Sequence, residues 1–217
     1  MPTKKFYYLC IAMIIVFGLI FFLQAKKAFN LTIHPVTTPL ISPQTVDIPL
    51  SAEDQILGNP GAPLTIIEFG SIGCKNCTKL NYTLTEFVKQ NPAKARLIWK
   101  DAPTRGLLFG GNYLAHQATY CAGKQNKFWQ FLDMALQDGA GLTENGMKKI
   151  ADGLKFNTTE WWQCTNSDAT KKKIEDAKAV ADGLGIKSAP ALFVNNKEIN
   201  LDEDIDIGEM LKTFTQG

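Results

Sequence analysis

The feature that most limits the fold of this chain is Cys74-Lys75-Asn76-Cys77, placed where a β-type run gives way to a helical one. Leu64-Thr-Ile-Ile-Glu-Phe69 is rich in β-branched and aromatic residues and follows the turn signals Gly58-Asn-Pro-Gly61. Ser71 to Gly73 breaks the run. From Cys74 onward Leu80, Leu84, Phe87 and Val88 recur at helical spacing until Asn91-Pro92 stops the helix. Cys74 therefore opens a helix, where unpaired amides and the macrodipole favour a thiolate over a thiol. Cys77, one turn further on, is close enough to close a disulfide with it. Such a pair supports dithiol–disulfide exchange, with Cys74 attacking and Cys77 resolving the mixed disulfide. Lys75 adds a positive charge beside Cys74. Two other uses of the pair are open. A zinc site needs about four ligands, and the two histidines, His34 and His116, lie in other parts of the chain; no metal is expected. A purely structural bridge in so short a loop would be strained and reducible.

The remainder reads as a mixed α/β layout. Arg96-Leu-Ile-Trp99 predicts a second strand, closed by Asp101-Ala-Pro103. Helical segments follow at about 111–122, 125–137, 143–153, 158–164 and 168–184, divided by Gly123, Gly139–Gly141, Gly153 and the Asn166-Ser-Asp168 cap. Ala191-Leu-Phe-Val194 is a third strand, Asn195-Asn196 turns the chain, and Lys197-Glu-Ile199 returns as an edge strand. A closing helix at 204–215 carries Ile207, Met210, Leu211 and Phe214. The order is strand–helix–strand, a helical block, then strand–strand–helix. Phe128-Trp129, Trp161-Trp162 and His116 fall at helical spacing and read as core packing. Pro190 opens the third strand, a position that tolerates proline. Since only about 5–6% of X–Pro bonds are cis, the residues alone leave this one trans.

The N-terminus has a different chemistry. Phe6 to Leu23 is an uncharged run of 18 residues between Lys4-Lys5 and Lys26-Lys27. As a helix it is roughly 27 Å long, enough for a bilayer core. A cleaved signal peptide would have a shorter run and small residues before the cut. Residues 1–27 are therefore expected to be an uncleaved transmembrane anchor, with the amino terminus tipping the orientation to N-inside. Cys10 lies in this run and is given no role. Residues 28–50, with Pro35, Pro39, Pro43 and Pro49, read as an extended linker. Residues 51–217 form the folded domain, its helical insertion spanning about 107–184. At 217 residues and 45% hydrophobic, the chain has enough apolar material for one such domain. Its formal charge of +2 gives no reason to expect a nucleic-acid partner.

Taken in order, these stretches resemble the DsbA-like branch of the thioredoxin superfamily. The resemblance rests on Asp54-Gln-Ile-Leu-Gly-Asn-Pro-Gly-Ala-Pro63, Ile67-Glu-Phe69 before Cys74-x-x-Cys77, Lys100-Asp-Ala-Pro103, Tyr120-Cys-Ala122, Gln125-Asn-Lys-Phe-Trp129 and Gly185-Ile-Lys-Ser-Ala-Pro190-Ala-Leu-Phe-Val-Asn195. It covers about residues 46–217. It implies a thioredoxin-like α/β fold with an inserted helical domain and disulfide exchange outside the cytoplasm, with no cofactor. It further implies that Cys74 is the nucleophile, that Cys77 resolves, and that Pro190 is cis and packs against the pair, its neighbouring backbone binding substrate. Glu68 matches a partly buried acid that relays protons near the resolving cysteine; the bland alternative is an ordinary charged residue at a strand end. Cysteines at the places of Cys121 and Cys164 recur in such relatives. In an oxidising compartment they are expected to bond, two buried thiols being the alternative. The chain departs from strongly oxidising members at Lys75 and Asn76, where Pro and His or Tyr are usual, and at Ala189, where Val or Thr is common.

The expected protein is a single-pass protein of the bacterial inner membrane with its catalytic domain on the periplasmic side. It would introduce disulfides into reduced or unfolded secreted proteins and be reoxidised by a membrane-embedded, quinone-linked partner. A reductase or isomerase using the same site is the first alternative, and a non-redox periplasmic chaperone or binding module the second. No coiled coil or separate dimerisation domain is visible, which favours a monomer.

Overall fold

The computed structural model describes residues 13, 16–19, 22, 41–103, 112–137, 143–201 and 205–215. The chain divides into two compact units, Met1–Thr38 and Pro39–Gly217. In the first, Met13, residues 16–19 and Phe22 are helical and exposed. Most of the expected membrane anchor, Cys10, His34, residues 28–40 of the expected linker and the start of the insertion at 107–111 lie outside the described residues. Among the described residues no helix is long and apolar enough to cross a membrane.

The second unit is built on a mixed sheet of six strands. They are β1 (Ile41–Thr45), β2 (Gln55–Gly58), β3 (Leu64–Gly70), β4 (Ala95–Asp101), β5 (Ala191–Val194) and β6 (Lys197–Ile199). Their spatial order is β1-β6-β5-β3-β4-β2. β3 and β4 run parallel, joined through helix α1 (Lys75–Gln90); the other pairings are antiparallel. Two strands depart from the sequence reading. Ile41–Thr45, placed in the linker, pairs with β6 through Ile41↔Ile199 and Thr45↔Lys197, so Lys197–Ile199 is not an edge. Pro43 sits in this outermost strand, where a missing amide is tolerated. Gln55–Gly58, named in the sequence only within the stretch Asp54–Pro63 and not as a strand, pairs with β4 and forms the opposite edge.

β3 is apolar almost throughout because both of its faces are covered. On one face Ile66, Leu97, Leu192 and Val194 meet Leu80, Leu84 and Phe87 of α1. Helix α7 (Ile207–Thr213) adds Met210 and Leu211 to that face. On the other, Ile67, Phe69, Ile98 and Phe193 pack with Ile48 and Ala181. Full burial of each such side chain is worth roughly 1.5–3 kcal/mol. Between β4 and β5 lie α2 (Tyr113–Gly123), α3 (Phe128–Gln137), α4 (Glu144–Gly153), α5 (Thr158–Thr165) and α6 (Asp168–Gly183). Their starts are set by side-chain caps: Thr143 accepts from the Gly146 amide, Asn157 from Glu160 and Ser167 from Thr170. The core of α2–α5 gathers Phe131, Leu132, Met147, Ile150 and Trp161, and it also takes in Ile72, Cys77 and Trp99 from the sheet side. The helical block is thus packed directly beneath the start of α1.

Candidate active site

The C-terminal ends of the parallel strands and the start of β5 meet at one edge of the sheet, because Gly70 is paired with Asp101 and Phe69 with Ala191. The turn after β3 therefore lies beside the turn before β5. Cys74 and Cys77 are joined in a disulfide, with Cα atoms 5.2 Å apart. Cys74 is the N-cap of α1, and its Sγ accepts a hydrogen bond from the Cys77 amide at 3.1 Å. This is the amide that would stabilise a thiolate once the bond is reduced. Cys74 is half-buried and Cys77 is fully buried, so the two cysteines of the pair differ in their exposure.

The Ala189–Pro190 peptide is cis. The Ala189 carbonyl oxygen lies 3.5 Å from Cys74 Sγ, which brings the two sequence-predicted pieces, 115 residues apart, into contact. Lys75 and Asn76 are exposed on the first turn of α1. Next to them a groove of about 840 Å³ runs between Asn76, Lys79 and Thr83 on one wall and Ser188, Pro190 and Asp206 on the other.

Glu68, in the middle of β3, is completely buried. Its Oε2 accepts from Asn81 Nδ2 at 2.7 Å, and its Oε1 has no hydrogen-bond partner among the described residues. Burial pushes its carboxyl up to about 8, against the smaller lowering effect of the Asn81 bond. Asn81 lies one turn beyond Cys77 on α1, so the helix that carries the disulfide also carries the donor to the buried acid. Asn81 carries no chemical signal in the sequence beyond its spacing of four from Cys77.

His116 was read as packing and does more. It is fully buried; its Nε2 accepts from the Ile72 amide at 3.1 Å, and its Nδ1 faces Asp101 Oδ1 at 2.6 Å. Asp101 Oδ1 also accepts from Trp99 Nε1 at 2.8 Å. Cys121 and Cys164 are bonded, joining α2 to α5 across a sequence separation of 43. The Thr170 hydroxyl lies 3.7 Å from each of their sulfurs. Among the described residues no group of His, Cys, Asp and Glu is arranged to hold a metal ion.

A family model described as Thioredoxin matches residues 51–213. The chain belongs to the thioredoxin family. Within that family it is of the DsbA-like kind, with a helical block between β4 and β5 and a Cys-x-x-Cys disulfide at the start of α1. It is similar to the probable disulfide bond formation protein D of Bacillus anthracis, 26% identical over 160 residues that cover 69% of this chain and 73% of that protein. It is also similar to the Na(+)/H(+) antiporter NhaA 1 of Mycolicibacterium gilvum, 24% identical over 177 residues. That match takes in 78% of this chain and only 28% of the antiporter. Among solved structures, oxidised BdbD from Bacillus subtilis superposes with a TM-score of 0.65 at 18% identity, covering 82% of this chain and 97% of that one. This thioredoxin-family chain shares its fold with BdbD.

Proposed function

We propose that this thiol–disulfide oxidoreductase works as an oxidase, donating its Cys74–Cys77 disulfide to reduced secreted proteins on the extracytoplasmic side of a bacterial inner membrane. The observation that carries the reading is the asymmetry of the disulfide: Cys74 is only half-buried, with its Sγ beside the Ala189 carbonyl, while Cys77 is fully buried. A client thiolate attacks Cys74 Sγ, the Cys74–Cys77 bond breaks, and Cys77 leaves as a thiolate. Glu68, a buried acid protonated at neutral pH, supplies the proton that Cys77 takes up. A second client thiolate then attacks the client sulfur of the mixed disulfide and releases Cys74. In total two electrons pass from the client dithiol to the pair; the client thiols release their protons to solvent, from which Glu68 regains the one it gave to Cys77.

The client chain lies in the groove beside Pro190, and Ala189 and Pro190 bind its backbone next to the reacting sulfur. A membrane-embedded, quinone-linked partner withdraws the two electrons and restores the disulfide. The uncharged run Phe6–Leu23 supports a single-pass anchor that keeps the domain near that partner, and the domain acts as a monomer.

Lys75 and Asn76 favour a second reading, a reductase or isomerase held reduced by a different donor, because they replace the Pro and His or Tyr usual in strong oxidants. The reduction potential of the full chain against glutathione separates the two. A value near about −120 to −180 mV supports donation, and one near about −270 mV assigns a reductase. Loss of client oxidation in Cys74→Ser excludes a chaperone that uses the disulfide only as a brace.

A further inference from the structure

The residue two places before the nucleophile is held at both of its backbone polar groups by side chains from the helical insertion. Asn112 Nδ2 donates to the Ile72 carbonyl oxygen and to Ser71 Oγ, the latter at 2.7 Å. His116 Nε2 accepts from the Ile72 amide at 3.1 Å. Asn112 and His116 are four residues apart on α2, so they share one helix face. Asn112 stands at the N-cap of α2, where asparagine ordinarily bonds the helix amides, yet its side chain makes no such bond. It is turned to the loop instead.

The loop it meets is a tight turn. The Cys74 amide donates to the Ser71 carbonyl at 3.2 Å, and Gly73 has a φ of +92°. A positive φ at the third of four residues is what a type II turn requires and a type I turn does not. The two turn types differ by a flip of the peptide between Ile72 and Gly73, and the carbonyl of that peptide is the one Asn112 grips. The imidazole is aimed in turn. Asp101 Oδ1, fixed by Trp99 Nε1 at 2.8 Å, lies 2.6 Å from His116 Nδ1, and the Trp99 ring stacks on the imidazole with centroids 6.5 Å apart. A carboxylate there takes a proton on Nδ1, which leaves Nε2 as the acceptor that the Ile72 amide needs.

We infer that Asn112 and His116 are positioning residues for the redox reaction: the helical insertion uses them to lock the Ser71–Cys74 turn and so to hold Cys74 against the start of α1. The inference rests on the exchange reading of Cys74–Cys77. Its effect on the two redox states is unequal. In the oxidised protein the disulfide itself ties Cys74 to α1. In the reduced protein that covalent tie is gone, and the sulfur is kept there by the turn together with the Cys77 amide, the Ala189 carbonyl and the bond from the Thr78 amide to the Cys74 carbonyl, so the clamp stabilises the reduced form more. Weakening the clamp shifts the pair towards the disulfide and makes the protein a weaker oxidant.

The test equilibrates the full chain with glutathione and measures the ratio of reduced to oxidised pair in three variants at one position. His116→Leu removes both bonds. His116→Asn retains a donor for Asp101 and loses the acceptor for Ile72, while His116→Gln extends a carbonyl oxygen to the place of Nε2. The expected result is a ratio of reduced to oxidised pair about tenfold lower in the Leu and Asn variants, equivalent to about 30 mV. Their thiolate absorbance appears at higher pH, and the Gln variant stays within about twofold of the parent. An unchanged ratio in all folded variants overturns the inference, and so does an equal shift in Gln and Asn, which would make His116 simple packing. Should the His116 variants fail to fold, Asn112→Ala at the partly buried helix end decides: the same downward shift supports the clamp, and no shift overturns it. The glutathione ratio is read on the pair itself, so it is independent of whether any client is oxidised. Failure of the donation reading shows instead as unoxidised clients with an intact ratio.

Discussion

Asn81 Nδ2 donates to Glu68 Oε2 across 2.7 Å inside the protein, and among the described residues none bonds the second oxygen of that carboxyl. A neutral donor offsets little of the cost of burying a charge, so the acid holds its proton to about pH 8 rather than the ordinary 4.5.

The stability of the oxidised protein should therefore fall as pH rises. Between pH 4.5 and about 8 the folded state binds the proton of Glu68 and the unfolded state does not. The contribution of this group is complete below 4.5 and is lost by the time pH passes about 8. At 1.36 kcal/mol per unit, the loss between about pH 5 and about pH 9 is on the order of 4 kcal/mol. Glu68→Gln removes the titration and keeps the shape. Denaturant unfolding of the oxidised protein at both pH values should show the decline in the parent and a much flatter response in the variant. An equal decline in both assigns the pH dependence to other groups.

The bond between Cys121 and Cys164 closes a loop with a sequence separation of 43. Chain entropy alone predicts about 4 kcal/mol of stabilisation. Replacing both cysteines with alanine should lower the melting temperature by roughly 8–16 °C for a domain of this size. The glutathione equilibrium of Cys74–Cys77 should remain as long as α2 still presents Asn112 and His116 to the Ser71–Cys74 turn. A calorimetric scan of the double variant measures the first expectation, and thiol trapping measures the second.

Gly70 faces the Trp99 indole so closely that an added Cβ would fall on the ring atoms. Gly70→Ala must push the indole aside, and the same indole holds Asp101 and stacks on His116. Overpacking of this kind costs about 1–3 kcal/mol. Denaturant titration should register that loss, and tryptophan fluorescence should shift with the displaced ring. An alanine accommodated without either change would mean that Trp99 has a second, equally good position.

Much of this arrangement was legible from residues alone because it is written in local patterns. The β-type run to Phe69, the apolar spacing Leu80-Leu84-Phe87-Val88 and the start of α6 after Ser167 are each statements about neighbours in sequence, and they define β3, α1 and α6. The edge strands were not legible for the same reason. β1 is paired at Ile41 and Thr45 with an irregular register between them and contains Pro43, so its conformation is imposed by β6 and not by its own residues. β2 is four residues long and ends in Gly58. Within the site, the Cys-x-x-Cys motif announced the disulfide, whereas the residues around Pro190 alone read as trans and only the family resemblance implied the cis bond. His116 carried no such signal: a single histidine on an apolar helix face looks like packing, and its partners Asp101 and Ile72 lie 15 and 44 residues away. Asn81 was hidden likewise, since only the fold shows which buried group faces it.

The unequal burial of the two cysteines predicts which of them is caught with a client. Cys74 is half-buried at the groove, and Cys77 is wholly enclosed by the core of the helical block. When Cys77→Ser removes the resolving thiol, a mixed disulfide on Cys74 has no internal route of release and should accumulate. Cys74→Ser leaves a thiol that clients cannot reach, and adducts should be scarce. Non-reducing electrophoresis of the full-length variants, followed by identification of the linked cysteine, measures both. Abundant adducts on Cys77 and none on Cys74 would reverse the order of attack, and with it the assignment of the less buried cysteine as the reacting one.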